Sequence, residues 1–303
     1  APLAGAPPAL QFAAGACAGL GAIAAGLGSI FWRFYAEDVR LWLRPGDSAE
    51  ASVLRVPWAL LSLPSAFCAP AGLWLTLVIS VVWNYRAVTS VHCGRKAQEF
   101  LPSISACIGD FSTQRWTWRS AMTLYVWQRL LTAPLYYRLL GEAAGFGPLN
   151  TARCAVFFTE QLCLMMLTTV SSSENLVMHQ LYLASFALCT VVGMCMTYAL
   201  CGRWLRRATE NPAGGRPAAL SANVARLSLR WRGSAILVNF AALVGMVYWY
   251  IMHDTYCRDF YYSYFAICEW TFVFSNIVFH YCEFSECRGL YLSFDRGEKP
   301  HRS

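Results

Sequence analysis

The chain has 303 residues, of which 57% are hydrophobic, 15% aromatic and only 14% charged. Soluble domains carry about 25% charged residues, so this composition excludes an ordinary soluble fold and predicts an all-α, polytopic transmembrane helical bundle. The formal net charge is +7, but the arginines cluster beside long apolar runs, which makes them a topology signal and excludes a nucleic-acid partner.

In chain order, Ala9 to Trp32 is apolar for longer than the roughly 20 residues that cross a bilayer. It is mostly Ala and Gly, which insert weakly compared with Leu, Ile and Phe. An extra span, an uncleaved signal anchor and a product of an uncertain start remain open there, because the chain does not begin with Met. Arg33 to Val56 mixes arginines with acids and reads as a surface helix or linker. Trp58 to Trp83 is the first strong span, with Pro64 and Pro70 expected to kink its early turns. Tyr85 to Arg115 is a polar loop. Trp118 to Leu140, Leu149 to Val170 and Leu181 to Cys201 are the second, third and fourth spans. Arg203 to Arg232 carries seven arginines and one acid around Asn211 to Pro217, and is expected to be a flexible basic loop. Gly233 to Met252 is the fifth span, His253 to Tyr261 a turn, and Tyr262 to Cys282 the sixth. This divides the chain into an N-terminal stretch 1–56, a six-span domain 57–283 and a polar tail 284–303, with no internal repeat.

The basic Arg203 to Arg232 loop and the tail belong on the cytoplasmic side under the positive-inside rule. Counting back through the spans places Tyr85 to Arg115, Ser171 to His179 and His253 to Tyr261 together on the opposite side. Cys93, Cys107 and Cys257 then lie on the oxidising face, and the expected disulfide is Cys93 to Cys257. Cys107 as the partner, or free thiols, are the alternatives. Most of the thirteen cysteines lie in apolar runs as small hydrophobes. No CxxC pair or zinc-spaced Cys/His cluster occurs, so no metal and no cofactor is expected.

Polar side chains at membrane depth carry the functional reading, because such groups usually face a bundle interior. Arg129, Glu160 and Glu269 fall near mid-span on three different helices and are expected at similar depth. Their two readings are a buried ionic lock that fixes helix order and the polar floor of a lipid cavity. Glu269, Asn276 and His280 share one face of the sixth span at about 100° per residue, and Asn239 is expected to pair with Asn276 as an amide clamp. Between the third and fourth spans lies a polar island, Thr168 to His179. Ser171 and Glu174 there have capping-box spacing, which reads as a solvated hairpin. A carboxylate and an imidazole at the membrane surface also suit general acid/base work on an alcohol, with His179 as base and Glu174 as its orienter. The pair is five residues apart and needs a bend to meet. Ser171, Ser172 and Ser173 lack the Gly-x-Ser-x-Gly context of a nucleophile elbow.

Several blocks carry a family resemblance in order and with similar spacing. They are His92-Cys93-Gly94, Leu101-Pro102-Ser103-Ile104-Ser105 with Ile108-Gly109, Gln114-Arg115-Trp116 with Trp118-Arg119, Leu167 to Glu174 with His179, Tyr256-Cys257, and Phe265 to Glu269 with Asn276 and Phe279-His280. Together, from about Arg55 to Glu283, they resemble the post-GPI-attachment branch of the Frag/DRAM/Sfk-type membrane family. The resemblance implies a multi-pass Golgi membrane protein that remodels glycosylphosphatidylinositol (GPI) anchors. Its role would be supporting or catalysing the return of a saturated fatty acid to lyso-GPI-anchored proteins. Its partners would be those proteins, membrane lipids and an acyl donor. On this reading His179 and Glu174 are the catalytic candidates, and Arg129, Glu160, Glu269, Asn276 and His280 the lipid-binding ones. A non-catalytic lyso-GPI presenter and a DRAM-like trafficking adaptor are the alternatives.

Overall fold

The computed structural model describes residues 53–92, 96–210, 221–287 and 290–295, with individual helical positions between 11 and 29. A strand, β1 (Val53–Pro57), leads into a short helix α1 (Trp58–Leu61) and the long α2 (Leu63–Val88). The short strands β2 (Val91–His92) and β3 (Lys96–Ala97) pair antiparallel and precede α3 (Ile104–Gly109). Five long helices follow: α4 (Ser112–Ala144), α5 (Pro148–Thr169), α6 (Leu176–Glu210), α7 (Ala222–Tyr256) and α8 (Tyr261–Glu286). The last strand, β4 (Tyr291–Asp295), returns antiparallel to β1, with Arg55 opposite Ser293.

In hydrocarbon every backbone N–H and C=O must be satisfied within its own segment, which is why the apolar runs fold as helices. Among the described residues, three helices are long and apolar enough to cross a membrane: α2, α6 and α7. The molecule is inverted relative to a soluble protein. Leu131, Leu188, Leu237 and Val244 are exposed, whereas Arg129, Arg153, Glu160, Arg232, Glu269, Glu283 and Glu286 are buried. Large exposed apolar area with charge inside is the pattern of a multi-pass membrane protein.

The interior is layered. One apolar cluster gathers Leu73, Trp118, Met122, Phe186, Trp270 and Phe272. A second gathers Trp58, Tyr136, Leu140, Leu200, Trp204 and Cys287. Between them, in the chain order of α4, α5, α6 and α8, fall Arg129, Arg153 with Glu160, Thr190 with Thr197, and His280 with Glu283.

Several sequence expectations change. The Arg203 to Arg232 segment is helical over most of its length: α6 continues to Glu210 and α7 begins at Ala222, capped by the Ser221 hydroxyl, which accepts from Val224 N at 3.4 Å. Only 211–220 lies outside the described residues there. The turn expected from His253 starts later, at Cys257. The 284–303 tail begins within α8, which runs on to Glu286, and β4 pairs with β1. In α2, Pro64 sits in the first turn, where a missing N–H costs nothing, and Pro70 lies inside a continuous helix. The non-helical residue is Asn84 (φ −131°, ψ 20°).

The Tyr85 to Arg115, Ser171 to His179 and His253 to Tyr261 segments meet at one end of the bundle. Phe260 N donates to Gln98 O at 2.9 Å, and Ser173 Oγ donates to Gly109 O at 2.7 Å. The α7–α8 turn bends through two left-handed residues, Cys257 (φ 49°) and Phe260 (φ 70°). Cys257 is disulfide-bonded and Cys107 is a free, buried thiol. Cys93, the expected partner, lies outside the described residues. Near the N-terminus, Trp74 Nε1 donates to Cys17 O at 3.0 Å, which sets Cys17 against α2.

Candidate functional site

The site is assembled by hanging a loop from the first turns of α8. Glu99, buried, accepts from Ser263 N at 2.7 Å and from its hydroxyl at 2.6 Å, while that hydroxyl accepts from Phe100 N at 2.9 Å. Burial pushes the Glu99 carboxyl above its ordinary value, against the pull of those donors. Trp270 Nε1 donates to Pro102 O at 3.0 Å. Ser103 then caps α3, its hydroxyl accepting from Ala106 N at 3.0 Å. Glu269 Oε2 takes Ile104 N at 2.7 Å, which pins the start of α3 to α8.

The other wall is the 170–175 turn and the start of α6. Asn175 is the cap of α6, accepting from Met178 N at 3.0 Å. Ser173 and Arg115 both donate to Gly109 O, drawing the turn onto the end of α3. That approach is close: a Cβ on Gly109 would stand 3.2 Å from Ser172 Oγ.

Between these walls lies His179, 3% exposed. Its Nδ1 is 2.7 Å from Val170 O and its Nε2 is 2.9 Å from Ser105 Oγ. A carbonyl oxygen only accepts, so Nδ1 carries the proton and Nε2 presents its lone pair to the Ser105 hydroxyl, which donates. Glu269 Oε1 lies 3.4 Å from the same hydroxyl. A hydroxyl donating to an imidazole, with a carboxylate beside it, is a proton-transfer arrangement.

This trio stands at one end of a narrow cavity of about 60 Å³. The walls are Leu73 of α2, Ile108 of α3, Trp118 and Met122 of α4, Leu164 of α5, Phe186 of α6 and Phe272 of α8. His179, Ser105 and Glu269 line it, and so does Asn276, two turns along α8 from Glu269.

The expected residues divide into three groups. Glu174 does not orient His179. It sits in the 170–175 turn, outside α6, and accepts instead from Ser171 N at 2.9 Å and Arg119 Nη2 at 2.8 Å, with Arg115 Nη1 at 3.4 Å. The Ser171 N–H, with the Ser171 hydroxyl and Arg119, holds the Glu174 carboxyl down at about 2. Ser171 to Ser173 serve this turn.

Arg129, Glu160, Asn276 and His280 do come together, with Glu283, Arg153 and Thr190. Arg129 Nη1 bonds Glu283 Oε2 at 2.7 Å, and Arg129 Nη2 donates to His280 Nδ1 at 2.7 Å. Arginine only donates, so His280 turns its other nitrogen, Nε2, toward Glu160 Oε1 at 3.9 Å. That oxygen also takes Thr190 Oγ1 at 2.9 Å and Asn276 Nδ2 at 3.3 Å. Arg153 lies 3.8 Å from Glu283 and stacks on Phe157, its guanidinium 5.1 Å from the ring centroid. Two guanidinium groups thus face two carboxylates. Glu269 is not in this network, so the expected Arg129, Glu160 and Glu269 trio is two separate constellations. Neither Arg129, Glu160 nor His280 lines the cavity. Asn239 does not pair with Asn276 either; it donates to Phe272 O at 2.9 Å and Ser275 Oγ at 3.0 Å, one position round the helix.

Sequence reasoning passed over Ser105 as a site residue. It also passed over a third ion pair, fully buried, in which Arg232 Nη2 meets Glu286 Oε2 at 2.9 Å, with Ser228 and Tyr136 donating to the same carboxylate. Among the described residues no group of three or more His, Cys, Asp or Glu side chains is placed to hold a metal ion.

Comparison with known proteins decides the kinship. The model of the Frag1/DRAM/Sfk1/Cwh43P N-terminal domain matches residues 57–288. The chain belongs to that family. It is 28% identical over 243 residues to Post-GPI attachment to proteins factor 2 of Caenorhabditis elegans, covering 76% of this chain and 86% of that protein. It is 30% identical over 208 residues to Acyltransferase PGAP2 of Xenopus tropicalis, covering 67% of this chain and 77% of that one. The match to the Drosophila melanogaster Post-GPI attachment to proteins factor 2 is 27% over 242 residues, covering 76% and 86%. No solved structure matches the chain significantly. As a family member, the chain places Ser105, His179 and Glu269 within the matched region.

Proposed function

We propose that this family member remodels GPI anchors in the Golgi membrane, catalysing the return of a saturated fatty acid to lyso-GPI-anchored proteins. The names of its relatives point to GPI anchors and to acyl transfer. The observation that carries the chemistry is His179: one nitrogen is committed to Val170 O, the other accepts from a hydroxyl, and both stand at the end of an apolar cavity. A general base beside a slot for hydrocarbon is what moving an acyl chain between alcohols requires.

On this reading the protein has six spans. Helices α4, α5 and α8, of 33, 22 and 26 residues, exceed the roughly 20 needed and bury Arg129, Arg153, Glu160, Glu269, Glu283 and Glu286. The arginine-rich α6–α7 junction faces the cytoplasm and His179 the lumen. The lyso-GPI chain and the acyl donor enter between the helices, with Glu269 and Asn276 as the polar groups they meet. At about 30 Å³ per water, the cavity holds only about two waters' volume when closed, so the helices part to admit a chain.

The product explains the need. Each buried methylene contributes about 0.8 kcal/mol and one chain anchors only marginally, so the restored chain keeps the protein in its membrane. In cells lacking the native factor, His179→Ala and Glu269→Ala are expected to express normally yet fail to restore anchored-protein surface levels. Full rescue by both variants would remove the proposed site.

A further inference from the structure

We infer that Ser105 is the catalytic nucleophile and carries the acyl group as an oxyester between donor and acceptor, which rests on the acyl-transfer reading above. Both nitrogens of His179 are engaged. Nδ1 faces Val170 O at 2.7 Å, and Nε2 faces Ser105 Oγ at 2.9 Å. An incoming lysolipid hydroxyl can reach the base only by displacing Ser105. The residue already aligned with it is the serine, at the separation of an activated nucleophile.

The position of Ser105 supports the same role. It lies in the first turn of α3, half-buried and at the cavity wall, whereas its neighbour Ser103 is consumed in capping that helix. Glu269 is a positioning residue: it holds Ile104 N at 2.7 Å and lies 3.4 Å from Ser105 Oγ, so it fixes the turn of α3 that carries the serine. The hydrocarbon walls keep water from the ester, which favours transfer over hydrolysis.

The donor class follows from the surroundings. A diacyl glycerophospholipid is always present in the leaflet that reaches this end of the bundle, and its chain suits an apolar slot. In the first step Ser105 passes its proton to His179 Nε2 and its oxygen bonds to the donor's acyl carbon. The donor's ester C–O bond breaks, and the departing lysophospholipid oxygen takes the proton from His179. In the second step the anchor's free glycerol hydroxyl gives its proton to His179 Nε2 and attacks the acyl carbon. The Ser105–acyl bond breaks and Ser105 recovers its proton. One ester is exchanged for another, with no change of oxidation state.

The test uses the full chain in nanodiscs of phosphatidylcholine with isotopically labelled stearoyl chains. Before any acceptor is added, peptide mass spectrometry is expected to find a stearoyl adduct on Ser105 that resists neutral hydroxylamine. Adding a lyso-GPI-linked peptide should move the label onto the peptide. Ser105→Ala should lose the adduct and at least about 100-fold in transfer rate. Ser105→Cys, which keeps the side-chain size, should form an adduct that neutral hydroxylamine now cleaves. If Ser105→Ala transfers at the wild-type rate while His179→Ala is inactive, the anchor hydroxyl attacks directly; the inference falls and the acyl-transfer reading stands. If the wild-type chain transfers no label, or transfers it regardless of His179, both fall.

Discussion

Two buried polar regions of this bundle are built from the same residue types and differ in what is left over. Around Arg129 and Glu283, every cation meets an anion: Arg129 and Arg153 face Glu283, Glu160 receives Thr190 and Asn276, and His280 stands between Arg129 and Glu160. Around Ser105 and His179, the imidazole faces a neutral hydroxyl and the cavity opens beside it. The first arrangement neutralises itself within protein, as an interhelical lock must in a low-dielectric layer. The second retains a lone pair and a transferable proton next to space. The difference teaches that charge at membrane depth does not by itself mark a reactive site; a hydroxyl proton held by a neutral imidazole beside a void does.

Breaking each region should therefore fail in a different way. The largest effect is expected from His179→Ala, lowering acyl transfer by the roughly 10²- to 10⁴-fold of a lost general base. In thermal unfolding in detergent it should cost only about 1–3 kcal/mol, for an acceptor, Val170 O, left unpaired. Loss of transfer only in proportion to the unfolded fraction would merge the two regions into one structural class. Arg232→Ala should do the reverse. It strands Glu286, which is 0% exposed, and breaking such a pair costs about 3–5 kcal/mol. Unfolding should shift accordingly, while each folded molecule keeps its transfer rate.

Smaller changes sharpen the contrast. Asn239→Ala removes two interhelical hydrogen bonds to α8 and should cost about 0.6–2 kcal/mol, read from the same unfolding assay. Glu174→Gln tests the turn that carries Val170 to His179. The folded Glu174 carboxyl is held at about 2, below its unfolded value near 4.3. The sign is therefore that of a depressed acid: its contribution is present above the unfolded value and is lost as pH falls toward 2. Glu174→Gln should flatten that part of the acid-unfolding curve, modestly, because the side chain is 42% exposed. An unchanged acid limb would show that the turn does not depend on its arginines.

How far the sequence was legible follows from the same physics. Spans such as Leu181 to Cys201 are visible because hydrocarbon demands a long apolar run, and α6, one of the three helices apolar enough to cross a membrane among the described residues, covers Leu176–Glu210. Helix ends are less visible. Nothing in the composition of Arg203 to Arg232 tells that α6 and α7 continue beyond the apolar run, where Trp204, Ala208, Ala225 and Ser228 are buried among neighbours. His179 and Glu269 stand out singly as polar groups beside or within hydrophobic runs. Ser105 does not, because a serine in a polar loop looks like any other. Its partner is 74 residues away, and only the docking of α3 onto α8 and the 170–175 turn brings the two together. Glu174 lies near His179 in sequence, but Arg115 and Arg119, one helix turn apart on α4, are the charges that claim it.

The central claim, that the Ser105 and His179 end of the cavity receives the wet end of a lipid, is tested most directly by a density map of the full chain with a lyso-GPI lipid bound. The account predicts the glycerol hydroxyl within hydrogen-bonding distance of His179 or Ser105. Its hydrocarbon chain should run between Leu73, Trp118 and Phe186 toward Asn276. A lipid bound only on the outer face, with those three side chains still closed together, would contradict it.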